Sequence, residues 1–186
     1  SYHWNAEMTD ASLQTDSVTL PVTWVDEEGE TNNINYVIPG ANDCFTCHNT
    51  FDVETPIGPK VRTLNFNGQL QEMINNDHFN GLTDAGSVAA LPVWDDETYS
   101  MEERARAYFD VNCAHCHSDG GYCEDQSTLR LEFETPFGES NIFERKNSIL
   151  SRMQNVVPGW SMPWIGVVSV HSEGYQLIED YLNSLN

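Results

Sequence analysis

Asn112-Cys113-Ala114-His115-Cys116-His117 decides how this chain is read, because an earlier stretch, Cys44-Phe45-Thr46-Cys47-His48, repeats its pattern. Each contains C-x-x-C-H. Two cysteines three positions apart on one helical turn reach the two vinyl groups of a single porphyrin and form thioethers. The histidine that follows then lies beneath the iron as its proximal ligand. Other uses of such a pair fit less well. A thioredoxin-like redox pair needs a βαβ setting that the flanking sequence lacks. Zinc-binding pairs stand roughly 15–20 residues apart, whereas a long irregular stretch separates Cys47 from Cys113. Structural disulfides need no histidine after each second cysteine. Cys44, Cys47, Cys113 and Cys116 are therefore read as attachment points for two covalently bound haem c groups, with His48 and His117 as iron ligands.

Composition bounds the rest. A chain of 186 residues makes one domain or two small ones, long enough to bury a core. It has no run of ~18 apolar residues, so no membrane span is predicted. It also lacks a basic-then-apolar leader at its start. Covalent haem attachment takes place outside the cytoplasm, so the expected location is periplasmic or extracellular in a bacterium, with a leader or longer preceding region missing. The 29 acidic residues against 8 basic ones give a net charge of −21. That excludes nucleic acid as a partner and argues against anionic membranes. It allows a basic redox partner steered by charge, although solubility outside the cell is the simpler reason for it.

Upstream of the first motif, Ser17–Leu20 and Val22–Val25 are rich in β-branched residues and interrupted by Pro21. An acidic, Gly29-containing turn leads to Ile34–Ile38, which predicts a hairpin. Pro39-Gly40 ends it. Past the motif, Pro56, Gly58 and Pro59 forbid regular structure. Gln69–Ile74 is predicted helical, with Leu70, Met73 and Ile74 on one face. Ser100-Met101-Glu102-Glu103 is a capping box that starts a helix running into the second motif, its apolar face Met101, Ala105, Tyr108 and Phe109. Further helices are predicted over roughly Asn141–Gln154 and Ser172–Leu185, the last with the stripe Ile178, Tyr181, Leu182 and Leu185. The expected fold is mostly α: two cytochrome c-like haem modules, 1–98 with the N-terminal hairpin and 99–186, packed together.

Between the last two helices, Val157-Pro158-Gly159-Trp160-Ser161-Met162-Pro163-Trp164 holds a methionine between prolines. Methionine more often fills core, but its place here predicts a thioether ligand that favours ferrous iron. Tyr108-Phe109 through His117, then Ser161-Met162-Pro163 and the terminal helix, resemble a class I cytochrome c over residues 99–186. That resemblance implies that Cys113 and Cys116 hold the haem, with His117 proximal and Met162 distal. The whole chain also resembles a family of secreted bacterial dihaem proteins for which no activity is established. The matching stretches are Tyr2-His3-Trp4-Asn5, Thr9-Asp10-Ala11, Ile38-Pro39, Leu64-Asn65 and Glu103-Arg104-Ala105-Arg106-Ala107-Tyr108. Its members tend to carry a β-rich region upstream, which implies that this chain is part of a longer one.

The sixth ligand of the first haem stays open among His78, His3, Met73, Met8 and no protein ligand, with His78 the first choice. His115 and His171 are expected to face solvent, and Cys123 to remain a free thiol. These residues point to single-electron transfer between extracytoplasmic partners, with a His/Met second haem at the higher potential. The rival expectation is a peroxidase-like enzyme whose first haem is open, and a third is a module feeding electrons to a secreted oxidase.

Overall fold

Short-range turn chemistry organises the first fifty-odd residues. In the computed structural model, which describes residues 1–57 and 60–185, β1 (Tyr2–Trp4) pairs antiparallel with β2 (Ala11–Leu13). The Asn5 carboxamide oxygen accepts the Thr9 and Asp10 N–H groups and closes the turn between them. β3 (Val18–Val25) pairs with β4 (Thr31–Ile38) over eight residues, with Gly29 at φ +86° in the turn. This is the expected hairpin, but Pro21 does not split it. Pro21 stands opposite Asn35 in a two-stranded ribbon, where each strand is an edge and a missing N–H is tolerated. The first motif follows on α1 (Ala41–Cys47), whose Gly40 N–H donates to the Asp43 carboxylate at 2.9 Å. β5 (Asn49–Thr50) and β6 (Val53–Glu54) then form a third small hairpin.

The remaining elements are helical: α2 (Val61–Leu64), α3 (Gln69–Asn75), α4 (Met101–Asn112), α5 (Phe137–Ser140), α6 (Ile142–Met153) and α7 (Ser172–Ser184). Ser100 Oγ accepts the Glu103 N–H at 3.3 Å while the Glu103 carboxylate accepts the Ser100 N–H at 2.9 Å, so the capping box starts α4 as the sequence predicts. The core lies where α4 and α6 pack on α7. Ala105, Phe109, Ile142, Ile149, Ile178, Tyr181 and Leu182 fill it, with Leu129 and Leu131 from the intervening loop.

Two charged residues of α4 are also buried, against the expectation that only its apolar stripe turns inward. Arg106 donates to the carbonyls of Glu132, Phe133 and Thr135. Asp110 accepts the Lys60 ammonium at 2.7 Å and the Phe133 N–H at 3.0 Å. Buried charge persists only where it is paired or hydrogen-bonded, and these contacts tie Lys60 and residues 132–135 to the helix.

The architecture corrects the expected class. The chain is mixed, with 34% helix and 15% strand, and it is not a mostly α pair of cytochrome-like modules. The reason is that residues 1–54 carry β-branched pairs and turn residues but no helical stripe. Among the described residues before 94, only Leu70 and Ala85 are buried hydrophobics, so no second helical core forms.

Candidate functional site

A cavity of about 730 Å³ opens beside the second motif, within the roughly 300–1,000 Å³ of small-molecule and cofactor sites. Cys113 and Cys116 line it at the C-terminal end of α4, together with His117, Phe109, Leu129 and Met153. Met162 lines it from the loop between α6 and α7. That loop is fixed by the Met162 N–H donating to the Arg152 carbonyl at 2.9 Å, and by the Arg152 guanidinium lying 4.2 Å over the Trp160 ring. The four residues predicted from the second motif and its loop therefore share one cavity.

Their electrostatics suit a prosthetic group. Burial pulls His117 down to about 4, so its imidazole is neutral at neutral pH and free to ligate a metal. Its Nδ1 is buried with no hydrogen-bond partner among the described residues. Loss of solvent pushes the Cys113 thiol up to about 12. An unpartnered imidazole nitrogen, two free cysteines and a thioether around an apolar cavity fit a covalently held haem c.

The first motif is arranged differently. Cys44 is exposed, its thiol donating to the Gly40 carbonyl at 3.4 Å. His48 borders a separate recess of about 390 Å³ with Glu54, Thr55, Pro56 and Ile57, and its Nδ1 accepts the Ile57 N–H at 3.2 Å. A neutral imidazole that accepts at Nδ1 carries its proton on Nε2, so this ring must exchange a hydrogen bond before that nitrogen is free for iron. Neither space is lined by a sixth-ligand candidate: His3 sits in β1, Met8 is exposed, Met73 lies in α3, and His78 is exposed just beyond it.

The fold also makes a junction that the linear spacing hid. Thr50 forms a β-bridge with Gly121, and the Phe51 N–H donates to the Gly120 carbonyl at 2.7 Å, so the segments after the two motifs are stitched together. Cys47 thereby enters the cavity of the second motif. One donor atom each of Cys47, His115 and Cys116 lies within 4.8 Å of the others. A hydrogen bond from Cys116, then one from His115, holds Cys47 well below the usual thiol range. Cys116 is raised by its bonds with Cys123 and Cys47. Cys123, in contact with Cys116, is drawn down to about 7.

One further expectation needs correction. His115 is half-buried within this thiol group instead of facing solvent. His171 is exposed, as the sequence suggests, while also standing at the cavity: its Nδ1 lies 3.1 Å from the Tyr108 hydroxyl and its ring meets Trp94 edge-on at 5.0 Å. The traces in the sequence were faint, no more than Gly120-Gly121 after one motif and Thr50 after the other. A search of protein-family models, curated proteins and solved structures returned no match to this chain.

Proposed function

We propose that the protein is a dihaem c-type cytochrome that moves single electrons between redox partners outside the cytoplasm. The observation that carries this reading is the second-motif cavity, walled by Cys113, Cys116, a neutral His117 with an unpartnered buried nitrogen, and Met162. A haem bound there supplies an iron that gains and loses one electron at a time. The chain does the rest. Cys113 and Cys116 would hold the ring covalently, His117 and Met162 would ligate its iron, and Phe109, Leu129 and Leu131 would exclude water from it. The soft, neutral Met162 sulfur favours the ferrous state. Cys44, Cys47 and His48 would hold the haem of the first motif. The net charge of −21 suits a basic partner, whose encounter would slow as salt is added.

A second reading has one observation in its favour. Among the described residues, no methionine or second histidine lines the recess beside His48, which suits an open iron and peroxidase-like chemistry. Two measurements on protein matured with its haem separate the readings. The mass of the chain should exceed that of the polypeptide by two haems, and carbon monoxide should leave the spectrum of the reduced protein unchanged. A mass increase of one haem or none sinks the dihaem proposal. A spectral shift in about half of the haem favours the enzyme.

A further inference from the structure

We propose that the chain, before haem is attached, binds a closed-shell thiophilic cation, Zn2+ above all, at Cys47, His115, Cys116 and Cys123. This goes beyond the cytochrome reading and competes with it for two cysteines. Cys47, His115 and Cys116 already hold donor atoms within 4.8 Å of one another, and Cys123 lines the same cavity beside them, its N–H donating to the Cys116 carbonyl. Three sulfurs and one imidazole are a recurring donor set for tetrahedral structural zinc. With Zn–S near 2.3 Å and Zn–N near 2.0 Å, donors on one tetrahedral ion stand about 3.5–3.8 Å apart. Closure therefore asks for a contraction of up to about 1.3 Å among the three closest groups.

The backbone has set most of that geometry. Cys47 comes from the end of α1, His115 and Cys116 from the turn after α4, and Cys123 from the turn beyond Gly121. The Cys123 N–H donates to the Cys116 carbonyl at 3.0 Å, and the Thr50–Gly121 bridge locks the first segment to the others. An ion here spans 76 positions of sequence, from Cys47 to Cys123. Binding displaces thiol protons to solvent and changes no oxidation state. Thioether formation at Cys47 or Cys116 removes a thiolate, so metal loading and haem attachment exclude each other at this point.

The test uses the full chain produced without haem attachment and kept reduced. Titration with Zn2+ against a chromophoric chelator should show one ion per chain, and Co2+ in its place should show thiolate charge-transfer and tetrahedral d–d bands. Loss of partners outside the coordination sphere already weakens metal sites by about 10–100-fold. His115→Ala and Cys123→Ser should each therefore weaken Zn2+ by ~100-fold or more, with far-UV circular dichroism confirming the fold. Cys123→Ser should also lower the charge-transfer intensity without abolishing it. Absence of stoichiometric binding, or binding indifferent to both substitutions, overturns the proposal. The haem reading rests on the mass of matured protein, so either can fail while the other stands.

Discussion

Gly174→Ala sets two effects of opposite sign against each other at the crossing of α4 and α7. Alanine is favoured over glycine inside a helix by about 1 kcal/mol, so an open site would be stabilised. Gly174 is not open. A Cβ there would fall under 3.0 Å from Tyr108 Cζ and Oη and from His171 Nδ1. The Tyr108 ring has little freedom to swing away, since His171 stacks on it at 5.8 Å and Trp94 meets its edge at 6.0 Å. Overpacking costs about 1–3 kcal/mol, and a clash this short with a confined ring belongs in the upper half of that range. The net expectation is a loss of about 1–2 kcal/mol. Urea unfolding should show a lower midpoint with an unchanged slope. In a Tyr108→Ala background the same substitution should become neutral or stabilising by up to about 1 kcal/mol, a coupling that a double-mutant cycle isolates. A raised midpoint in the otherwise native chain would refute the close approach. Tyr108 and His171 also wall the second-motif cavity, so on the cytochrome proposal the absorption of haem-loaded Gly174→Ala should shift along with its stability.

On the cytochrome proposal, Met162→Ala removes the soft ligand; potentiometry should then find the higher potential lowered by on the order of 0.1 V, a fraction of the roughly 0.8 V that axial ligands span, and the reduced protein should gain a carbon monoxide site. Lys60→Met leaves the fully buried Asp110 carboxylate with only the Phe133 N–H, at a cost of about 2–3 kcal/mol in chemical denaturation; this lies below the range for fully buried pairs because Lys60 is 45% exposed. Glu103 accepts from the Ser100 hydroxyl and N–H, which lowers its pKa from 4.5, so the capping box contributes stability above the ordinary carboxylate range and loses it as pH falls through the lowered pKa. Titration followed by nuclear magnetic resonance should place its midpoint below 4.5, and Ser100→Ala should return it toward that value. Because Cys47 meets Cys116, porphyrins carried on both should lie edge to edge; the Soret circular dichroism should be bisignate and become single-signed in Cys113→Ala/Cys116→Ala.

Elements with a local signal were legible in the sequence. The reciprocal capping of Ser100 and Glu103, the terminal helix with its Ile178, Tyr181 and Leu182 stripe, and the hairpin around Gly29 appear within a few residues of where the pattern puts them. Arg106 and Asp110 were not legible. A charged residue on a helix reads as solvent-facing, and only tertiary partners from residues 60 and 132–135 make its burial possible. The strands β1 and β2 are three residues each, too short for periodicity, and depend on the Asn5 side chain for their turn. The meeting of Cys47 with Cys116 arises from a single β-bridge between Thr50 and Gly121, and nothing in the spacing of the cysteines encodes it.

Two motifs alike in sequence therefore sit in unlike physical settings. The second is the turn that directly follows a helix whose Ala105 and Phe109 are wholly buried, so Cys113 and His117 inherit the rigidity of the core and already face a formed cavity. The first rides on α1, which has no buried residue and is held by a capping carboxylate and the neighbouring hairpin. Its histidine is engaged with the Ile57 N–H, a hydrogen bond whose net worth is about 1 kcal/mol. That is small, so the hydrogen bond does not block the first motif. On the dihaem proposal, the asymmetry predicts ordered maturation, with the preformed second site filled first and α1 reorganising against it. The junction at Cys47 is where that order would be enforced, because the first motif cannot rearrange without moving a thiol that contacts the second.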